Sequence, residues 1–212
     1  MSRLEPHVRT GGDGVARCWW CGEDPLYLSY HDHEWGFPTA DDRYLYEKLC
    51  LEGFQAGLSW ITVLRKREAF REAFRHFDIE VVAGFTKRDV NRLLRNAGII
   101  RHRGKIESAI NNARRTIEVA GEFGSLAAFI WQFEPAPEAR PRRIDRATVR
   151  DLTQTAESAA LNRALKRRGF TFVGPTTLYA YMQSVGLVND HVENCAIRAD
   201  VEVARGRFAR PN

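Results

Sequence analysis

The chain has 212 residues, of which 44% are hydrophobic and 28% charged, and its formal net charge at pH 7 is +5. This balance is typical of a globular protein with one core of ordinary size. No apolar run reaches the roughly 18 residues of a membrane-spanning helix, and charges within residues 1–16 exclude a signal-peptide core. We expect an intracellular protein, with its four cysteines as thiols or metal ligands. The positive charge suggests an anionic partner without identifying it.

Helical patterns recur along the chain, whereas no segment alternates convincingly as a strand. The predicted helices begin after Asp41 or Asp42 (to Leu51) and after Ser59, then cover 86–97, 103–121, 125–133 and 158–168. Segment 134–146 holds three prolines among charges and is predicted to be an exposed loop. We therefore predict an all-α protein with a flexible tail over 1–16, a single domain over 17–198 and a C-terminal tail over 199–212.

One acidic residue stands within the most apolar stretch of the chain. In segment 49–64, Glu52 is the only ionisable group apart from Cys50. A carboxylate among Leu, Phe and Trp is costly to bury without a partner, and a bound ligand could be that partner. The alternative is that Glu52 lies on the exposed side of an amphipathic helix, as most glutamates do.

The segment 166–177 predicts a turn between two helices. Lys166, Arg167 and Arg168 end one helix at Gly169, and a second begins after Gly174 near Pro175 or Thr176. Free N–H groups at such a helix start can hold a phosphate. An ordinary connection between helices remains the alternative.

Two cysteines and two histidines near the chain ends could form a closed tetrahedral zinc site. His191 and Cys195 are four residues apart, and Cys18 and His31 lie near the other end. Spacing alone does not select this set, because Cys18 and Cys21 form a C-x-x-C pair that a metal could equally use. Free thiols with a surface histidine are the alternative.

Four further runs of the sequence are informative together, namely 24–36 (DPLYLSYHDHEWG), 51–64 (LEGFQAGLSWITVL), 97–106 (AGIIRHRGKI) and 186–191 (GLVNDH). Taken together, they resemble the 3-methyladenine DNA glycosylase I family. The resemblance implies an all-α, two-lobed helix-hairpin-helix fold and hydrolytic release of 3-methyladenine from double-stranded DNA. It also implies a structural zinc held by Cys18, His31, His191 and Cys195.

The resemblance also assigns roles to residues around Glu52. Residues matching Glu52 and Tyr30 contact the edge of the extruded base, and the one matching Trp60 stacks on it. Tyr27, Trp20 and Trp35 supply further aromatic surface for a cationic base. Gly57 and Leu58 could enter the gap that the base leaves, although a buried Leu58 is an equally good interpretation. Phosphate contacts are expected from Arg167, Arg168, Gly169, Gly174 and Thr176.

Two features bear on the reaction mechanism. Many helix-hairpin-helix glycosylases carry a catalytic Asp where this chain has Asn189, which cannot act as a general base. No lysine nucleophile stands beside the end of the hairpin. We therefore expect a monofunctional enzyme that relies on Glu52. We also expect a monomeric, cytoplasmic bacterial protein that reaches the nucleoid through its substrate. The alternatives are a non-catalytic zinc-stapled DNA-binding protein, a same-fold glycosylase for another damaged base, and a metal-dependent hydrolase, which would need an open metal position.

Overall fold

The computed structural model describes residues 7–211, which form a mostly helical protein with one short β-hairpin. The hairpin consists of β1 (Val8–Thr10) and β2 (Ala16–Cys18). The α-helices are α1 (Pro25–His33), α2 (Asp42–Gln55), α3 (Trp60–Leu64), α4 (Arg67–Ala73), α5 (Ile79–Ala83), α6 (Lys87–Arg95), α7 (Arg103–Phe123), α8 (Leu126–Trp131), α9 (Arg146–Asp151), α10 (Ala156–Arg167), α11 (Pro175–Ser184) and α12 (Arg198–Arg207). Short 3-10 helices cover Trp19–Cys21, Arg75–Phe77 and Pro137–Ala139. Within 7–211 no helix is both long and apolar enough to cross a membrane.

The helix starts follow the capping residues that the sequence indicates. Asp41 accepts a hydrogen bond from the backbone N–H of Tyr44 and starts α2, which runs to Gln55 rather than ending at Leu51. Ser59 precedes α3, but its side chain makes no capping bond. The helix expected after Ser59 is divided into α3 and α4. Thr86 and Asp89 form a reciprocal capping box at α6.

The predicted all-α class holds except for one short hairpin near the N-terminus, which the sequence did not indicate. Strands β1 and β2 pair antiparallel, with Val8 opposite Cys18 and Thr10 opposite Ala16. Each strand has three residues, which is too short for a period of two to be recognised in the sequence.

Regular structure extends into both segments that were expected to be tails. The hairpin begins within 1–16, and α12 occupies most of 199–212 with Val201 fully buried. The domain boundaries at 17 and 198 stay predictions, and residues 1–6 and 212 lie outside the described part of the chain.

Helix α2 is the central element of the core. It contacts α3, α7, α8 and α11, and every residue from Leu45 to Phe54 is buried. A helix that is enclosed on all sides has no solvent-exposed face, so its polar residues are buried together with its apolar ones. This position explains why Glu52 does not reach bulk solvent.

Candidate active site

Glu52 lines a cavity of about 250 Å³ between α1, α2, α3 and α11. Its side chain is buried, and the residue is only 4% exposed. The interpretation that Glu52 sits on an exposed helix face is therefore wrong. The cavity is also lined by Trp19, Trp20, Tyr27, Tyr30, Trp35, Gln55, Trp60, Val149, Ala180 and Gln183.

The five aromatic residues singled out in the sequence form one connected wall of this cavity. Ring centroids are 4.8 Å apart for Trp35 and Trp20, and 5.2 Å apart for Trp20 and Tyr27. The wall continues to Tyr30, whose ring lies 5.3 Å from that of Trp60. Aromatic faces attract cations, so a wall of this kind beside a carboxylate favours a flat, positively charged ligand.

Burial dominates the electrostatics of Glu52. Loss of solvent raises the pKa of Glu52 to about 7, and the Lys48 charge and the Ser184 hydroxyl partly offset this rise. Because this pKa is near neutrality, a bound cationic ligand can shift the Glu52 carboxyl toward its ionised form. Such perturbed groups in clefts are typical of functional sites.

Lys48 lies one helical turn before Glu52 on α2 and was not predicted as part of the site. Its side chain is fully buried, and its Nζ donates a hydrogen bond to Tyr30 Oη at 2.9 Å. The same Nζ lies 4.4 Å from the Tyr30 ring centroid and 4.5 Å from that of Trp60. The spacing of four residues from Glu52 was the signal in the sequence that could have identified it.

Two polar hydrogens near the cavity have no acceptor among the described residues. Trp60 Nε1 is buried without a hydrogen-bond partner in 7–211. Tyr30 Oη accepts from Lys48, and no acceptor for its own O–H is found in the same range. Buried donors of this kind normally have partners, so both groups are unusual within the fold.

Three of the four proposed metal ligands gather behind the aromatic wall. The ligand atoms of Cys18, His31 and Cys195 lie within 4.8 Å of one another, and Cys195 Sγ is 3.6 Å from His31 Nε2. Asp32 holds His31 Nδ1 at 2.7 Å, which turns Nε2 toward the thiols. Hydrogen bonds from Cys18 and His31 lower the pKa of the Cys195 thiol. This donor set suits zinc.

The other two candidate ligands are differently engaged. The ring of His191 is 4.8 Å from that of His31, but its Nε2 lies 3.3 Å from the His31 carbonyl and its Nδ1 lies 3.0 Å from Asn189. His191 is thus beside the group without joining it. Cys21 Sγ bonds the Cys18 carbonyl at 3.1 Å and lies outside the group, which favours Cys18 over Cys21.

The turn between α10 and α11 is anchored on α7. The backbone carbonyl of Thr171 accepts from the side chains of Ser108 and Asn112, each at 3.0 Å. Gly169 has a φ of +80°, which only glycine adopts without strain. Gly174 precedes Pro175 at the start of α11, and a Cβ added at Gly174 would meet only Thr177 Oγ1 at 3.8 Å. The helix start is therefore open, and Thr176 beside it is exposed.

The two arginines that precede this turn differ. Arg168 pairs with Glu122 at 2.8 Å and lies over the rings of Phe123 and Phe129. Its guanidinium is thus already engaged within the fold, and its contact with phosphate stays a prediction. Arg167 is exposed and has no side-chain partner among residues 7–211.

The loop with Gly57 and Leu58 joins α2 to α3 near the same turn. Leu58 is 43% exposed, which decides against its burial in the core. Lys105 on α7 donates to the carbonyls of Phe54 and Ala56 and so fixes the end of α2. A Cβ added at Gly53 would lie 3.5 Å from the Cβ of Phe172 in the turn, so the last turns of α2 pack against this turn.

The structure also accounts for the residues at the usual position of the catalytic acid. Asn189 is buried and donates to the Arg198 carbonyl and to Glu202. Asp190 accepts hydrogen bonds from Arg140, Tyr179 and Gln183. Neither residue lines the cavity around Glu52.

Comparison with known proteins agrees with this geometry. The model of the methyladenine glycosylase family matches residues 20–199. The chain belongs to this family. It is 49% identical over 182 residues to DNA-3-methyladenine glycosylase 1 of Escherichia coli (strain K12), covering 85% of this chain and 96% of that protein. A crystal structure of 3-methyladenine DNA glycosylase I, also 49% identical, has a TM-score of 0.79 and covers 85% of this chain and 98% of that one.

A further member of the family has been solved in complex with 3-methyladenine. That chain is 36% identical, with a TM-score of 0.77, and the match covers 82% of this chain and 93% of that one. Membership of a methyladenine glycosylase family speaks against a non-catalytic DNA-binding protein and against a metal-dependent hydrolase.

Proposed function

We propose that this protein is a DNA repair glycosylase that hydrolyses the N-glycosidic bond of 3-methyladenine in alkylated DNA. The observation that carries the proposal is the buried Glu52 carboxylate at an aromatic cavity. A base must leave the helical stack to reach such a cavity. Adenine methylated at N3 carries a positive charge while it is attached to the sugar, and the aromatic wall and Glu52 both favour that charge.

The chemistry follows from the charge of the leaving group. A cationic base departs readily, because breaking the C–N bond neutralises it. Glu52 stabilises the charged base within the cavity, and water completes the substitution at the sugar carbon. Asn189 and Asp190 take no part in this scheme, since both are engaged with other side chains outside the cavity. Neutral adenine gains less from either the carboxylate or the rings, which supplies discrimination.

The test is incubation of the purified protein with methylated DNA, followed by chromatographic identification of the released bases. The proposal requires 3-methyladenine to be released, with unmodified adenine retained. Release of an oxidised base or of 7-methylguanine alone would identify a glycosylase with another substrate. Absence of any release, with DNA binding intact, would contradict the proposed activity.

We further propose that the enzyme leaves an abasic site without cutting the strand. Lys48 contacts two residues of the cavity wall, but it is fully buried behind Tyr30 and Trp60 and does not line the cavity. An amine in that position has no path to the sugar carbon. Covalent trapping of the protein on DNA by borohydride would contradict a monofunctional reaction.

A structural zinc ion tying the chain termini together is also part of the proposal. The donors of Cys18, His31 and Cys195 would hold it, and His191 is the fourth candidate. A closed site of two cysteines and two histidines stabilises folding and leaves no position for catalysis. Metal analysis of the purified protein should find one zinc per chain, and Cys195→Ser should lower that content. Full activity and an unchanged melting temperature in zinc-free protein would contradict this role.

The proposed partner is double-stranded DNA, bound by a monomer with a two-lobed helix-hairpin-helix fold. The open helix start after Gly174, the exposed Arg167 and the exposed Leu58 support this binding face. We place the enzyme in the bacterial cytoplasm, where it reaches the nucleoid through its substrate. Sedimentation of the free protein and of its complexes with duplex and single-stranded DNA tests the monomeric state and the preference for duplex DNA.

A further inference from the structure

Lys48 is buried behind the wall of the base cavity and has no role in the proposed reaction. Lys48 is fully buried, and burial lowers its pKa to about 8. A buried ammonium without a function is unfavourable, because an apolar residue of the same size usually stabilises the fold as well or better. Its contacts are therefore informative about its role.

Those contacts lead to one atom of the cavity wall. Lys48 Nζ donates to Tyr30 Oη at 2.9 Å, while the Tyr30 and Trp60 rings lie within 4.5 Å of the same nitrogen. Lys48 itself does not line the cavity, whereas Tyr30 and Trp60 do. Any contact of Lys48 with a bound base must therefore pass through these two residues, while its charge also acts on Glu52.

The hydrogen bond has a defined direction. An ammonium group has donors and no acceptor, so the Tyr30 hydroxyl must accept from it. The hydroxyl hydrogen then points away from Lys48, and no acceptor for it is found among residues 7–211. A hydroxyl whose oxygen accepts from a cation is also a stronger donor.

We propose that Lys48 is a positioning residue that makes the Tyr30 hydroxyl an obligate donor to the extruded base. This inference rests on the proposed function. The unmethylated edge of adenine presents a ring nitrogen that accepts and an amino group that donates. Tyr30 would donate to the ring nitrogen, and the neighbouring Glu52 carboxylate would accept from the amino group. The pair therefore reads the edge in one orientation, and a base with a carbonyl in place of the amino group meets a mismatch.

A double-mutant cycle tests whether Lys48 acts through Tyr30. We compare Lys48→Met, which keeps the unbranched chain but removes the amine, with Tyr30→Phe and the double variant, measuring 3-methyladenine affinity by calorimetry. Each single variant should weaken binding about tenfold to hundredfold. Lys48→Met should add less than about threefold in the Tyr30→Phe background. Equal losses in both backgrounds, or wild-type affinity in Lys48→Met, would overturn the inference.

Thermal unfolding separates positioning from support of the fold. Lys48→Met should melt within a few degrees of wild type, since the buried ammonium is removed and Glu52 can take up a proton in compensation. The matched control is Lys66→Met, because Lys66 donates to the carbonyls of Ala97 and Gly98 away from the cavity. This control should bind 3-methyladenine as wild type does. If Lys48→Met does not fold, Lys48→Gln replaces it in the same cycle, and a loss of folding there as well would overturn the inference.

The pH profile of excision gives a second readout that a purely structural role would not move. The Lys48 charge lowers the pKa of Glu52, so Lys48→Met should shift the acidic limb of the profile to higher pH. An unshifted limb would contradict the action of the Lys48 charge on Glu52, whereas the double-mutant cycle tests the route through Tyr30. The variant leaves in place the other ionisable groups whose charges act on Lys48 and Tyr30, namely Tyr27, Glu34, Tyr44, Glu47 and Arg67.

Failure of this inference is distinguishable from failure of the proposed function. Wild-type protein that releases no 3-methyladenine from methylated DNA would contradict the function itself. Wild-type protein that releases it, with a Lys48→Met variant of unchanged affinity and an unshifted profile, would contradict the role of Lys48 alone.

Discussion

Two buried carboxylates of this protein have opposite environments. Asp190 accepts from Arg140, Tyr179 and Gln183, so the fold itself satisfies it. Among residues 7–211, only the Lys48 charge and the Ser184 hydroxyl offset the burial of Glu52, and Glu52 lines a cavity. A buried charge that its neighbours satisfy supports the structure, whereas one left short of partners is available to a ligand. Substitutions at the two acids should therefore have different consequences for excision and for stability.

The largest effect is expected on excision when Glu52 is neutralised. Glu52→Gln keeps the shape of the side chain but removes the charge that stabilises a cationic base. Single-turnover release of 3-methyladenine should fall about 100-fold, a typical loss for one preorganised electrostatic contact. The unfolding free energy should not decrease, because the substitution removes a poorly compensated buried charge.

Glu47→Gln is the matched control for this substitution. Glu47 is buried on the same helix but pairs with Arg71 at 2.8 Å. Its neutralisation should lower stability and leave excision by folded protein within about threefold of wild type. Equal losses of excision in the two variants would contradict the claim that Glu52, unlike the ion-paired Glu47, acts on the base.

The partnered acid should show the reverse behaviour. Asp190→Asn leaves the half-buried Arg140 without its counter-ion, and we expect a loss of about 3 kcal/mol in unfolding free energy. Urea denaturation measures it. Excision at a temperature where the variant is folded should remain within about fivefold of wild type. A stable Asp190→Asn variant with abolished excision would instead assign Asp190 to catalysis.

The pH dependence sharpens the comparison further. Burial raises the pKa of Glu52 to about 7, so its ionised fraction and the excision rate should fall by about tenfold for each unit of pH below that value. Glu52→Gln should lack this limb. The stability effect has the opposite sign, because the folded state binds the proton more tightly than the unfolded one. The contribution of Glu52 to stability is present below its unfolded pKa of about 4.5 and is lost as the pH rises through about 7. Wild-type protein with a flat excision profile between pH 5 and 8 would contradict this assignment.

The smallest effect concerns two arginines, one of which has a partner within the fold while the other has none among residues 7–211. Arg167 has no side-chain partner in 7–211 and is exposed, whereas Arg168 is held by Glu122 and two phenylalanine rings. Arg167→Ala should lower the salt dependence of DNA binding by about one phosphate contact. Arg168→Ala should change that slope little and should lower thermal stability. Titrations of duplex DNA at several salt concentrations measure both, and the reverse ranking would show that ion pairing does not predict phosphate contacts.

Helical periodicity and capping residues allowed most helices to be predicted. Asp41, Thr86 and Ser125 stand immediately before α2, α6 and α8, as expected from their side chains. The hairpin of β1 and β2 escaped prediction because three-residue strands carry no recognisable alternation. Helix α12 escaped because its sequence is strongly charged, with Val201 alone fully buried.

Part of the candidate site was also predictable from local sequence. The isolation of Glu52 among apolar residues indicated its importance, and the aromatic residues of α1 and α3 pointed to a cleft. The role of Arg168 was not predictable, since its partner Glu122 lies on another helix. Lys48 could have been noticed from its spacing to Glu52, but its contact with Tyr30 depends on how α1 packs on α2.

By itself, the sequence of this protein determined the helical class, the family and the chemical character of the cavity. These properties depend on residue type and on short-range spacing, and both can be recognised directly in the sequence. Tertiary structure alone decided which buried charges are satisfied. Arg140 meets Asp190, whereas Glu52 is left facing an aromatic cavity. The physical reason is that the energy of a buried charge depends on its nearest neighbours in space, and those neighbours come from distant parts of the chain.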